Sequence, residues 1–315
     1  MKKINRREFL KYQASSMAWL AGSSLLLPPA AAIAAPEKTS AKTKTPEIAV
    51  ARGSAESAVR AAVAMLGGME AFVRKGDRVV IKPNMSFASG PERATNTHPE
   101  VVKTIAAMCR EAGADRILVL DNPLSPAEQC LEASGIRAAC TDIDRDMVHT
   151  VSSRSRFSEV TIENAETLNR TEVMREVLSS DVLIAAPVAK SHSGAGVSLS
   201  MKGMMGLIYN RRIMHRLDLH TAIADLASLL RADLTVIDAT RVLSTGGPGG
   251  PGKVLTPDTI IASADMVAAD AYAISAFEWY GRKYTPDQVK HVRLAHQRGL
   301  GRMDIENLDV KEIDA

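Results

Sequence analysis

Residues 181–206 read DVLIAAPVAKSHSGAGVSLSMKGMMG. An almost unbroken apolar run, Asp181 to Pro187, is followed by Lys190, His192 and Lys202 set among Gly194, Gly196, Gly203 and Gly206. A short apolar run without polar alternation suits a strand buried on both faces, and such strands belong to parallel sheets covered by helices. Ligands of open parallel sheets bind beyond the carboxyl ends of the strands. The stretch therefore predicts a buried strand that delivers two ammonium groups and an imidazole to a ligand site.

The same pattern recurs along the chain. Strands are predicted over Ile48–Arg52, Arg78–Pro83, Arg116–Asp121, Met147–Val151, Asp181–Pro187, Leu234–Ala239 and Thr259–Ser263. Helices are predicted over Ala55–Phe72, Pro99–Ala112, Pro126–Ser134, Arg170–Ser179, Leu217–Arg231, Ala264–Tyr280 and Pro286–Gln297. Pro99 and Pro126 stand where a first helical turn tolerates proline. This alternation defines an α/β fold: a mostly parallel sheet with flanking helices, arranged as one body or as two α/β lobes with the site between them.

Polar residues follow four of the strands: Lys82 and Asn84, then Asp121 and Asn122, then Lys190 and His192, then Asp238, Thr240 and Arg241. Between Lys190 and His220 there are five Lys and Arg residues and three histidines, His192, His215 and His220, against one acid, Asp218. Such charge beside bare glycine backbone suits an anionic substrate or cofactor. Lys82, Asn84, His98, Lys190, Gly203, Arg212, Asp238, Gly246 and Gly247 are the candidates for holding it, with Lys202 lining the same site. His192, Lys202 and His215 are the candidate catalytic residues, one histidine moving protons with Asp238 as an orienting partner, and His192, His215 and His220 are candidate metal ligands. Asn96 and Thr97 precede a helix and account for a cap there, but capping by Thr97 leaves His98 without a role.

Other motifs exclude more than they assign. GGPGGPGK at 246–253 contains G-x-x-x-x-G-K, but Val254 replaces the hydroxyl residue of a phosphate-binding loop and two prolines remove backbone donors. Neither G-x-S-x-G nor H-E-x-x-H occurs. Cys109, Cys130 and Cys140 show no C-x-x-C spacing, so an iron–sulfur cluster is not expected. The chain has 315 residues and a formal charge of +3, but residues 1–34 hold five cations against Glu8. The remainder is close to neutral, and no nucleic-acid partner is expected.

Asn5-Arg6-Arg7-Glu8-Phe9-Leu10-Lys11 resembles the twin-arginine export signal. The apolar stretch after it is short for a membrane span, and Ala32-Ile33-Ala34 offers a cleavage site. The expectation is a signal peptide over 1–34, a polar linker over 35–46 and an α/β domain over 47–315. The partner would be the twin-arginine translocase, the location the periplasm or the medium, with no stable membrane anchor.

IKPN at 81–84, NTHPEVV at 96–102, AGADRILVLDN at 112–122, residues 186–206, the Arg212, His215, His220 series and VIDATRVLSTGGPGGPG at 236–252 resemble the domain-of-unknown-function 362 family. The likeness covers roughly residues 46–275 and implies the α/β fold and one site. More distantly, His192 followed ten residues later by Lys202, with His215 and His220 beyond, resembles nickel-pincer lactate racemases. That resemblance implies Lys202 as the tether of a pyridinium-derived cofactor, with His192 and His215 or His220 as nickel ligand or acid/base. Three readings follow: an exported protein with a cationic site for an anionic substrate or cofactor and proton-transfer or redox chemistry, a non-catalytic binder of a metal or small anion, and a pincer-type racemase or epimerase of 2-hydroxy acids.

Overall fold

The computed structural model describes residues 45–315. The expected signal peptide of residues 1–34, and the 35–46 linker up to residue 44, lie outside the described residues. One eleven-stranded sheet organises the chain. Its main path runs β15 (Val310–Asp314), β1 (Ile48–Arg52), β12 (Thr259–Ser263), β10 (Leu234–Leu243), β7 (Val182–Ala186), β2 (Arg78–Pro83), β3 (Arg116–Asp121) and β4 (Val148–Thr150). From β10 to β4 every pairing is parallel. β12 runs antiparallel to both of its neighbours. The sheet is continuous, so the site is not set between two lobes.

Side-chain alternation sorts the core onto two faces. In β7, Leu183 and Ala185 join the cluster containing Trp279 and Ile223, while Val182, Ile184 and Ala186 join the cluster containing Val59 and Ile105. Helices Ala55–Met65 and Pro99–Glu111 cover the second face, and Leu219–Leu229, Met266–Ala276 and Lys290–Gln297 cover the first. Four of the five starts, all but that of Lys290–Gln297, are fixed by side chains that accept the free backbone donors of the first turn: Ser54, His98, Asp218 and Asp265.

Two local expectations are corrected. Residues 170–174 form β6 (Arg170–Met174) rather than the start of a helix, paired antiparallel with β5 (Phe157–Thr161). Thr171 and Val173 are buried while Glu172 between them is not, a period of two that wins over helical propensity. Also, the chain does not leave the sheet at Pro187, where the predicted strand ends. It continues as β8 (Val188–His192), turns, and returns as β9 (Gly196–Ser198), while β10 runs on to Leu243 and pairs with β8. Small hairpin partners complete the set: β11 (Val254–Leu255) on β10, and β13 (Glu278–Trp279) with β14 (Arg282–Lys283).

The loop between β5 and β6 is held by one buried carboxylate. Asp225 accepts hydrogen bonds from the backbone N–H groups of Glu166, Thr167 and Leu168 and from the Thr167 hydroxyl, and it pairs with Arg298 at 2.8 Å. Asp225→Ala strands these donors and leaves the Arg298 guanidinium with Glu166 alone, at 2.8 Å. The expected loss is about 3 kcal/mol in a urea unfolding series. An unchanged midpoint would contradict this role.

Candidate functional site

A cavity of about 320 Å³ opens at the carboxyl ends of β2, β3 and β8. Its charged lining consists of Lys82, Lys190, Lys202, Arg211, Arg212 and Asp121. Asn84, Ser86, Phe87, His192, Ser198, Gly203, Gly206 and His215 are also exposed to it. Five permanent or potential cations thus face one carboxylate.

Each lysine is held differently. Lys82, 2% exposed, ends β2 and lies 3.2 Å from Asp121 Oδ1, and it also donates to the Pro83 carbonyl. Asp121 is anchored through Oδ2 by the Met85 N–H at 2.8 Å and the Ser86 hydroxyl at 2.9 Å. Burial pushes the Lys82 ammonium below its ordinary range, with Asp121 opposing. Lys190, also 2% exposed, donates to the Thr95 carbonyl at 2.5 Å and sits 5.0 Å over the Phe87 ring. Burial, with Lys82 and Lys202 nearby, brings it down to about 7. Lys202 makes no hydrogen bond or ion pair among the described residues, and burial beside Arg211 brings it down to about 8.

The hairpin β8–β9 explains why Lys190 and His192 act together. Residues two apart on a strand share a face, so both line the cavity while Ser191 turns the other way and accepts from the Gly247 N–H at 3.0 Å. The Lys202 turn is fixed from below. Asp270, fully buried, accepts from the Ser200 N–H, the Ser200 hydroxyl and the Met201 N–H at 2.9, 2.5 and 3.0 Å. Burial raises the Asp270 carboxyl to about 7.

His192 has a determined polarity. Its Nδ1 accepts the backbone N–H groups of Gly194 and Ala195 at 3.1 and 3.2 Å. Backbone amides only donate, so the neutral ring carries its proton on Nε2. Burial, then Lys202, His215 and Lys190, hold the imidazole down to about 3, so the ring stays neutral. His215 stacks on it with centroids 6.2 Å apart.

Several expected site residues do not line this cavity. His98 caps the helix Pro99–Glu111, its Nδ1 accepting the Glu100 N–H, and its own N–H donates to Asp238. Asp238 is fully buried within β10 and also binds Thr240 and Arg241, tying the strand to the start of the helix Pro99–Glu111 rather than holding a ligand. Gly246 makes a left-handed turn with φ of 72°. Gly247 is glycine because a Cβ there would fall 1.9 Å from the Ser191 carbonyl oxygen; its neighbour Pro248 reaches the cavity instead. His220 faces a separate cavity of about 340 Å³ and meets His291, Nδ1 to Nδ1, at 3.2 Å.

The histidines therefore do not assemble a metal centre. Among the described residues no group of three His, Cys, Asp or Glu side chains is placed to hold a metal ion. A nickel-pincer group would need an imidazole lone pair on the cavity side, and His192 presents Nε2–H there. Its other nitrogen is already engaged by two amides. Of the three candidate ligands, His215 lines this cavity with neither ring nitrogen hydrogen-bonded among the described residues, and His220 does not line it.

Sequence reasoning placed Lys82, Asn84, Lys190, His192, Lys202, Gly203, Arg212 and His215 at one site, and the fold gathers all eight at this cavity. It left out Arg211, Ser86, Phe87, Ser198, Gly206 and the structural role of Asp121. Arg211 donates to the Asn122 and Pro123 carbonyls, which pins it against the end of β3.

The fold and cavity define an α/β protein with a cationic pocket at the carboxyl edge of its sheet. The chain belongs to the family described as a domain of unknown function (DUF362), whose pattern matches residues 79–275. It is 26% identical over 230 residues to a thylakoid-associated protein of Synechocystis sp., covering 69% of this chain and 68% of that one. Among solved structures it is similar to the lactate racemase apoprotein of Thermoanaerobacterium thermosaccharolyticum, at 12% identity and TM-score 0.43 over 69% of this chain. A Thermotoga maritima protein gives 13% identity and TM-score 0.44 over 78%. The chain spans 54% and 60% of those two proteins.

Gly206 packs its backbone against the Lys82–Asp121 pair. A Cβ there would lie 2.2 Å from Asp121 Oδ1 and 2.5 Å from Lys82 Cε, whereas one on Gly203 meets Pro187 at an ordinary 3.9 Å. Gly206→Ala is expected to cost about 1–3 kcal/mol, and Gly203→Ala close to nothing. Equal melting temperatures for the two variants would contradict the packing.

Proposed function

We propose that the cavity binds a small, multiply anionic molecule, as substrate or as cofactor. The observation that carries this is the charge imbalance: five Lys and Arg side chains around about 320 Å³, with Asp121 as the sole lining carboxylate among the described residues. Its volume suits a compact ligand such as a phosphate- or dicarboxylate-bearing molecule. His192 Nε2–H adds a neutral donor of the polarity an anion needs.

Two of the cations are poised to take up protons as the anion arrives. Lys190, near 7, and Lys202, near 8, are partly neutral at physiological pH. An anion raises both, so binding draws protons from solvent and strengthens as pH falls.

We also propose that the protein acts outside the cytoplasm, exported through the twin-arginine translocase. Support comes from the Arg6-Arg7 leader. The thylakoid association in the name of the Synechocystis relative is compatible with such a route. Among the described residues no helix is long and apolar enough to cross a membrane.

Sulfate tests the binding reading because its charge is constant across the working range. Calorimetry is expected to show one site at the cavity, with affinity rising at least about tenfold from pH 9 to pH 7, the shift expected for lysines titrating near 7 and 8. Repeating it in buffers of different ionisation enthalpy is expected to show net proton uptake near pH 7.5. Lys190→Met should weaken binding at least about tenfold through loss of a charge-assisted contact. Absence of binding for sulfate, phosphate and oxalate alike, or a pH-independent affinity, would defeat the proposal.

A further inference from the structure

Lys202 stands apart from the other two buried lysines. Lys82 has Asp121 and Lys190 has the Thr95 carbonyl, but Lys202 Nζ meets no acceptor among the described residues. The residue is only 9% exposed and lines the cavity. Its backbone is fixed by the three hydrogen bonds that Ser200 and Met201 give to Asp270. An amine that is buried, positioned and without a partner is a nucleophile in waiting rather than a structural cation. Guanidinium groups, such as those of Arg211 and Arg212 in the same cavity, do not share this property.

Resting on the anion-binding reading, we propose that Lys202 forms a reversible imine with a small 2-oxo acid. Arg211 and Arg212 hold the carboxylate, the permanent charges for which their planar forks are suited. The adjacent carbonyl carbon then meets Lys202 Nζ. The nitrogen lone pair forms the N–C bond while the carbonyl π pair moves to oxygen, which takes a proton. Nitrogen gives up a proton, the hydroxyl takes one and leaves as water, the nitrogen lone pair closes the C=N bond, and nitrogen releases its second proton to give the imine. Atoms balance with water as the only product, and no oxidant or reductant is required. Lys190, which titrates near neutrality in the same cavity, is suited to carry the proton that the hydroxyl takes. His192 Nε2–H is a donor for the carboxylate or the departing oxygen.

The two readings respond oppositely to pH, which separates them. Anion binding favours charged lysines and weakens as pH rises, whereas imine formation needs the free amine and gains as pH rises toward 8. The purified protein is incubated with pyruvate or 2-oxoglutarate and sodium cyanoborohydride at pH 6, 7 and 8, then mapped by peptide mass spectrometry. The expected result is one reduced adduct per chain on the peptide carrying Lys202. Its yield should rise at least about fivefold from pH 6 to pH 8, tracking the free-amine fraction, and excess sulfate should suppress it. Acetone, which lacks the carboxylate, should label Lys202 far more weakly. Lys202→Arg removes the primary amine, so the adduct on that peptide is lost. Label spread over surface lysines without sulfate protection overturns the imine. Sulfate binding with no adduct overturns the imine alone, and failure of both overturns the anion site as well.

Discussion

Like charges buried together are the constraint on which the rest of this structure turns. Lys82, Lys190 and Lys202 are withdrawn from water around one small cavity, and only Asp121 opposes them from inside it. Desolvating an ammonium group costs several kcal/mol unless a partner offsets it. The fold supplies that offset in descending measure: a carboxylate for Lys82, a carbonyl and an aromatic face for Lys190, and no hydrogen-bond or ion-pair partner among the described residues for Lys202. The gradient in compensation is also a gradient in readiness to meet a ligand. The large two-sided core, with clusters on both faces of the sheet, is what supports an arrangement this costly.

Hydrogen-bond polarity reinforces the charge. The groups facing the cavity are mostly donors: three ammonium groups, two guanidiniums and the Nε2–H of His192. His192 is set this way by two amides of its own hairpin turn, so the same local structure that aims the ring also chooses its tautomer. Asp270 performs the matching task for the Lys202 turn, and Gly206 allows the backbone to close over the Lys82–Asp121 pair. Asp270 and the amides of the hairpin turn decide which atoms of the lining are presented and in which state.

Much of this was legible in the sequence, for identifiable reasons. Apolar runs such as Val79 to Ile81 and Leu183 to Ala186 announced strands covered on both faces, and polar residues at their ends announced the site. The hairpin β8–β9 was not legible because Lys190, Ser191 and His192 are buried polar residues, which read as loop in any hydropathy pattern. His98, Asp238 and Gly247 were assigned to ligand binding because caps, strand-to-helix ties and close backbone contacts use the same residue types as binding sites do. Arg211 lay one residue from the predicted Arg212, and only its anchorage on the Asn122 and Pro123 carbonyls distinguishes it. His220 sat in the basic segment but belongs to the helix Leu219–Leu229, which carries it away to His291.

The central claim is that the buried cations converge on one anion. Diffraction from crystals soaked in selenate, recorded at the selenium edge, tests it most directly. The account predicts an anomalous peak inside the cavity, about 3 Å from Lys202 Nζ and within reach of Lys190 or Arg211. Selenate ordered only on the outer surface, with the cavity holding water alone, would contradict it.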